Sequence, residues 1–458
     1  MKKDIKGLKR QLEQAAGIAK QYRGSAEDFK PRSNRKKGSA ALETGNVWQR
    51  LYILILCLSV VLFVQMAFYN SVLPDNFYRS ENRGFQVSAY PSVTAAAGDT
   101  VMPAAAAYKE SKTSEKMTLM LYGIIPIKDV KVSYVNFPKL IPSGEAFGLK
   151  MLTDGVMVTE YGAVEGTVSL SSPAKEGGLL LGDVIISANG VKISSGDELT
   201  KAVQLNGDKT KLTVLRGEDR INISITPARS KTDGLYKLGI WTRDSCAGIG
   251  TLTYYDPANG SYGGLGHSVC DMDTGNALPL SRGETVPVKI NSVIKGLNGC
   301  PGELCGTFLS AASTGSILMN TDCGIFGESF NIPDSGAIPL GLKQEVEIGE
   351  ATLLTTLEGD APKPYSVMIE KVNFTSESAV KNMVIRITDK ELLSKTGGIV
   401  QGMSGSPIIQ NGKLVGAVTH VFVNDISRGY GIFAENMYDI SSTIGNGKSG
   451  SDDLKIPA

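Results

Sequence analysis

The chain has 458 residues, room for two or three domains, and 47 Lys and Arg against 46 Asp and Glu leave a net charge of +1 that excludes a general attraction to nucleic acid. It has only two histidines and six cysteines, none at zinc-ligand spacing, so no metal centre and no cofactor is expected. Cys57 lies in an apolar run; the other five, Cys246, Cys270, Cys300, Cys305 and Cys323, are an odd number, which argues against a complete disulfide framework and leaves a local pair such as Cys300 with Cys305 open.

Charge is uneven along the chain. Residues 1–50 carry 13 Lys and Arg against 5 Asp and Glu, and residues 1–47 read as a basic cytoplasmic tail. The segment 48–70 holds an uncharged apolar run from Leu51 to Tyr69, long enough to cross a bilayer as a helix. Trp48 and Tyr69 stand at its ends as interfacial aromatics do, and the basic tail orients the N-terminus inward and the body outward. The long basic region and the length of the run favour a signal anchor over a cleaved signal peptide. Residues 71–120 read as a linker, and the small-residue stretches at 93–98 and 103–107 are expected sites of proteolytic release.

After residue 120 helical periodicity is scarce, which favours a mainly β body; the chain holds 52 glycines. Residues 121–232 form the next expected domain. The Ser172-Pro173-Ala174 turn, followed by Gly182-Asp183-Val184-Ile185 and by Asn189-Gly190, resembles a bacterial PDZ domain. That resemblance implies peptide capture by strand addition, with the N–H groups of a Gly-containing loop taking a terminal carboxylate. The loop is expected at Ala146, Phe147, Gly148 and Leu149, and a helix at 197–205 is expected to line the groove. Asp183 and Asn189-Gly190 read as turn formers rather than ligand contacts.

Residues 233–444 are short apolar strands between Gly, Pro and Asp turns, a pattern that suits a β-barrel or a pair of barrels. Residues 445–458 read as a polar, flexible tail.

Chemistry concentrates at Gly-Gly-Ile-Val-Gln-Gly-Met-Ser-Gly-Ser-Pro, residues 397–407. Ser404 has Gly402 two residues before it and Gly405 after it, as a nucleophile in a tight turn requires. A hairpin is expected next, Ile408-Ile409, a turn at Asn411-Gly412, then Leu414 to Val418. The plain alternative is a Gly/Ser turn between two strands. A serine nucleophile needs a base, and the candidates are His267, after a Gly-rich turn, and His420, in a strand close behind Ser404. His420 reads better as a packed or substrate-lining residue. For the acid, Asp389 lies 15 residues before Ser404, with Asp271, Asp273, Asp322 and Asp360 as competitors. The order His267, Asp389, Ser404 is that of chymotrypsin-like proteases on double β-barrels. Gly402 and Ser404 supply the oxyanion N–H pair by analogy. Met403 stands where digestive enzymes carry Asp, so activation by a new N-terminus pairing there is excluded.

The blocks Gly264-Leu265-Gly266-His267-Ser268-Val269, 398–407 and 417–425 resemble the SpoIVB peptidase family, sporulation stage IV B serine peptidases of endospore-forming bacteria. The likeness implies His267 as base, Asp389 as orienting acid and Ser404 as nucleophile. It further implies export to the space between forespore and mother cell, and self-cleavage near the N-terminus. Partners would be protein substrates: the chain itself and a regulatory membrane protein that restrains pro-sigma-K processing. The membrane is met through the N-terminal helix, and no nucleic acid partner is expected. A general envelope quality-control protease and an inactive PDZ adaptor are the alternatives.

Overall fold

The structure is a computed structural model that describes residues 39–79, 85–97, 114–134, 138–166, 170–205, 209–309, 312–375 and 378–446. The basic tail up to residue 38, the alanine run at 103–107 and residues 447–458 lie outside the described residues. The chain divides into two compact units, one ending at Gln65 and one beginning at Met66.

Helix α1 (Ser39–Val72) contains the apolar run. Its 26 residues Val47–Val72 include an apolar window of mean hydropathy 2.6 in which no residue is buried. At 1.5 Å per residue they reach about 39 Å, more than the roughly 30 Å of a bilayer's hydrocarbon core.

The segment read as a linker is in good part a sheet. Strands β1 (Asn76–Arg79), β2 (Val93–Ala97), β3 (Ser114–Leu121) and β4 (Ile125–Tyr134) assemble in the order β1-β4-β3-β2. Met117, Leu119, Val130 and Val132 alternate inward against Phe77, Val87 and Val93. The small residues of β2 pair in register with β3, from Val93↔Leu121 to Ala97↔Met117, so they are not an open tether. Residues 121–134, expected to begin the PDZ domain, belong to this sheet as well.

Strand β5 (Lys139–Pro142) leads into β6 (Ala146–Tyr161), whose two halves serve different domains. The PDZ part follows: β7 (Val164–Glu165), β8 (Leu170–Ser171), α2 (Pro173–Glu176), β9 (Val184–Ala188), β10 (Val191–Lys192), α3 (Gly196–Gln204), β11 (Thr210–Arg216), β12 (Asp219–Ile225), β13 (Ala228–Arg229) and β14 (Tyr236–Lys237). Helix α3 lies where a groove helix was expected. Ser195 caps it by accepting the N–H of Glu198 at 3.2 Å, and it buries Leu199, Ala202 and Val203. Asp183 is buried and braces the fold, accepting from Arg216 Nη2 at 2.7 Å and from the N–H of Leu180 at 2.9 Å.

Strand β15 (Ile240–Tyr255) then returns antiparallel along β6, from Ile240↔Tyr161 to Thr251↔Ala146. After it come β16 (Ser261–Gly264), β17 (Leu280–Ile294), β18 (Glu303–Phe308), β19 (Gly315–Thr321), β20 (Gly324–Ser329) and β21 (Ile338–Pro339). The pairings β6–β17, β17–β19, β19–β20, β20–β16, β16–β15 and β15–β6 close a six-stranded ring. The PDZ part is therefore an excursion out of the first barrel, leaving along β6 and returning along β15.

The second barrel is formed by β22 (Gly349–Thr355), β23 (Lys363–Val372), β24 (Met383–Ile387), β25 (Pro407–Gln410), β26 (Lys413–Phe422) and β27 (Asp425–Phe433). Helix α4 (Lys390–Thr396) sits between β24 and β25, and α5 (Ala434–Asn446) follows β27. Leu353, Val367, Ile369, Ile385, Ile408 and Val418 fill the barrel. Asn411 (φ 51°) and Gly412 (φ 70°) make the expected tight turn between β25 and β26. The mainly β fold with two barrels is thus as read from the sequence. All six cysteines are free thiols, Cys300 and Cys305 included.

Candidate active site

Ser404 lies in the loop between α4 and β25, at the seam between the barrels. Helix α4 ends at Gly397, which takes a left-handed φ of 77°. Met403 is fully buried in the second barrel's core, which pins the loop beside the serine. From the first barrel, Thr251 grips the loop twice. Its N–H donates to the Ser404 carbonyl at 3.0 Å and its hydroxyl to the Gly402 carbonyl at 2.7 Å. Thr253 adds a bond to the Gly405 carbonyl at 2.8 Å. Gly405 has φ 94°, and a Cβ there would lie 2.0 Å from the Thr251 carbonyl oxygen, so only glycine permits this approach.

These contacts use carbonyl groups. Among the described residues, the backbone N–H groups of Gly402 and Ser404 donate to no protein acceptor. Two uncommitted N–H groups, one of them the serine's own and the other two residues before it, can hold an oxyanion.

His267 follows β16 through Leu265 (φ 65°) and Gly266 (φ 70°). A positive φ at leucine is strained, and this strain carries the chain from the first barrel to the seam. His267 Nδ1 faces the Ser268 carbonyl at 2.8 Å, so that nitrogen carries the proton and Nε2 is left as acceptor. Burial lowers the His267 pKa, and the bond to the Ser268 carbonyl offsets part of that. Ser404 Oγ donates to the Thr419 carbonyl at 2.9 Å rather than to His267. His420, one residue on in β26, sets its ring 4.9 Å from that of His267, tilted by 40°. Its pKa is pushed down to about 4, first by loss of hydration and then by His267 and Lys381; its exposed face tempers the burial component. Ser404, His267, His420, Gly402, Asp271 and Asp322 share the lining of one cleft of about 860 Å³.

Two expected site assignments differ from the structure. Asp389 is the N-cap of α4: its Oδ1 accepts the N–H of Leu392 at 3.0 Å and its Oδ2 that of Ser366 at 3.4 Å. Asp389 is not among the residues that line the cleft with His267 and Ser404. Ala146, Phe147, Gly148 and Leu149 are not a carboxylate loop either. They are buried in the first half of β6, paired with β15 on one side and β17 on the other, so their N–H groups are spent in the first barrel.

The PDZ part instead opens a groove of about 390 Å³ between α3 and residues 235–242. Leu238-Gly239 precedes Ile240–Thr242, which pairs with β6 on one edge only, among the described residues. That free edge beneath a helix is the geometry of strand addition. An apolar-Gly-apolar triplet before a strand was visible in Leu238-Gly239-Ile240, but Phe147-Gly148-Leu149 has the same form.

Comparison with known proteins gives two family matches. Residues 234–438 match the family described as SpoIVB peptidase S55, and residues 146–226 match the PDZ domain family. Serine protease HTRA1 of Xenopus tropicalis is 39% identical over 56 residues, which span 12% of this chain and 12% of that protein. The PDZ domain of the SdrC-like protein from Listeria monocytogenes covers 19% of this chain and 87% of its own, at 24% identity and a TM-score of 0.16. The HtrA-type protease AlgW with a decapeptide covers 47% of this chain and 55% of its own, at 12% identity and a TM-score of 0.26. Less than half of the chain thus matches the SpoIVB peptidase S55 family, beside a stretch that matches the PDZ domain family.

Proposed function

We propose that the chain is a serine endopeptidase in which Ser404 attacks the scissile carbonyl and His267 takes the Ser404 proton, then returns it to the leaving amine. The N–H groups of Gly402 and Ser404 hold the oxyanion. Water releases the acyl group from Ser404 by the reverse proton path. The observation that carries this reading is the pair of uncommitted N–H groups on residues that line the same cleft as His267. The bond from Ser404 Oγ to the Thr419 carbonyl makes the arrangement a resting one. Turning that hydroxyl toward His267 arms it, as catalytic hydrogen bonds commonly tighten only with substrate bound.

On this reading α1 anchors the chain, with the basic segment in the cytoplasm and the peptidase outside. The match to the SpoIVB peptidase family supports a sporulation role: action between forespore and mother cell, self-cleavage near the N-terminus, and cutting of a regulatory membrane protein that restrains pro-sigma-K processing. The groove at α3 and Leu238–Thr242 would engage extended segments of these protein substrates. The test uses the full-length chain and Ser404→Ala, purified in detergent and incubated, with new N-termini sequenced. New termini in the wild type alone are expected; the same termini in both sink the enzyme reading.

A further inference from the structure

Resting on the reading of the groove beside α3 as a peptide site, we infer that this groove takes a chain end no more than about four residues deep, and that Asp244 is the specificity-determining residue that sets this limit. Three observations converge on it.

The first is the spacing at the far end of the groove. Gly196, the first residue of α3, donates its N–H to Asp244 Oδ2 at 3.0 Å. A Cβ on Gly196 would lie 3.4 Å from Thr242 Oγ1. An added strand lies about 4.8 Å from its partner, so it needs a gap of about 10 Å between β15 and α3. Side chains of β15 already reach the helix at Gly196, and no strand passes between them there. The groove lining accordingly ends at Gly196 on the helix and at Thr242 on the strand.

The second is how firmly Asp244 is held. The β6–β15 register jumps from Arg243↔Met157 to Ser245↔Leu152, so Asp244 has no partner across that ladder. Such irregularities re-aim a side chain, and here the carboxylate is aimed at the helix. Its Oδ1 accepts the Ser245 hydroxyl at 3.2 Å while its Oδ2 takes the Gly196 N–H. Arg243 beside it is fixed by Asp271 at 2.9 Å and Asp273 at 2.8 Å. A negative charge at the first turn of α3 also suits the helix dipole.

The third is the opposite end. Gln204, the last residue of α3, is tied to Tyr236 by both halves of its amide. Its Nε2 donates to the Tyr236 carbonyl at 2.6 Å and its Oε1 accepts the Tyr236 N–H at 3.0 Å. Among the described residues the N–H groups of Leu238 and Gly239 donate to no protein acceptor, so they are free to take a terminal carboxylate. Leu199, Val203 and Leu238 line the groove, are buried, and suit an apolar last side chain. Helix α3 is thus pinned at both ends. From Gly196 to Gln204 it rises about 12 Å, the length of about three to four extended residues at roughly 3.4 Å each. A peptide antiparallel to Ile240–Thr242 pairs with that edge and then has to turn out to solvent at Asp244.

Calorimetric titration of the full-length chain in detergent tests this with two probes that share one apolar, free C-terminus. One is the acetylated tetrapeptide Ala-Ala-Leu-Val; the other is the octapeptide that places the strand formers Thr-Val-Thr-Val before it. The wild type is expected to bind both within about twofold, because the added residues find no edge to pair with. Asp244→Ala unties α3 from β15 at Gly196. It is expected to bind the octapeptide at least about tenfold more tightly than the tetrapeptide, with its tetrapeptide affinity unchanged. Asp244→Asn keeps an oxygen for the Gly196 N–H and behaves as the wild type. An octapeptide advantage of about tenfold already in the wild type, or none in Asp244→Ala, overturns this inference and leaves the groove reading standing. Loss of tetrapeptide binding in Asp244→Ala overturns it too, since Asp244 then builds the groove rather than limits it. A wild type that binds neither peptide overturns both.

Discussion

The rings of His267 and His420 lie 4.9 Å apart, tilted by 40°, although one comes from the first barrel and the other from β26 of the second. Each barrel thus contributes one imidazole to the cleft, and the two cannot comfortably be charged together. Both pKa values are depressed, His420's to about 4.

The depressed His267 pKa fixes the acid limb of activity. The base works only when neutral, and its folded pKa lies below the ordinary value near 6.5. Activity of the wild type should therefore persist below pH 6.5. In His420→Ala the cleft opens to water, relieving the burial that causes the shift. Activity should remain measurable, with the acid limb displaced upward toward 6.5. A pH profile of fluorophosphonate labelling checks this, and a wild-type limb at or above about pH 7 contradicts it.

Asp389→Ala should act on stability rather than chemistry. It removes the acceptor for the Leu392 N–H at the start of α4, and a lost N-cap costs about 1 kcal/mol, within a range of roughly 0.5–2. Urea unfolding followed by circular dichroism reads that cost, while labelling of the folded fraction stays near wild type. A large loss of labelling with stability intact would show that Asp389 acts in the reaction.

Local features were legible from the sequence, and long-range pairings were not. The Asn411-Gly412 turn, helix α3, and the glycine-flanked Ser404 each depend on a few neighbouring residues. Closure of the first barrel depends on β6 meeting β15 and β17 across roughly a hundred residues or more, and no local pattern encodes that. The same gap explains the misplaced carboxylate loop: which apolar-Gly-apolar triplet has a free edge is decided by its neighbours. It also explains the alanine-rich β2, whose small side chains hide a strand that only its pairing with β3 reveals.

Gly405→Ala should disrupt the barrel seam. The new Cβ would meet the Thr251 carbonyl at 2.0 Å in a backbone of φ 94°, and strain of this kind costs about 1–3 kcal/mol before the clash itself is counted. Because Thr251 also holds Ser404 and Gly402, the variant should lose labelling and unfold at lower urea together. Wild-type labelling in a fully stable variant would mean that the Thr251 grip does not hold the serine.

Gly239→Ala should separate the groove from the chemistry. Gly239 has φ 71°, and a Cβ there would lie 2.7 Å from the Gly162 carbonyl oxygen. The Gly162 N–H in turn donates to the Gly239 carbonyl at 2.9 Å. Displacing this turn moves Ile240–Thr242, the edge that faces the groove, away from α3. Strand β15 carries that edge at one end and Thr251 at the other, nine residues from Thr242 and about 30 Å along the strand. The edge is too far from Ser404 for a local shift to touch the nucleophile directly. A fluorescent peptide with a free apolar C-terminus should therefore bind the wild type and lose at least about tenfold in affinity for Gly239→Ala, while basal labelling of Ser404 is retained. Equal peptide affinity for both proteins would show that the groove between α3 and β15 is not where the PDZ part takes its ligand.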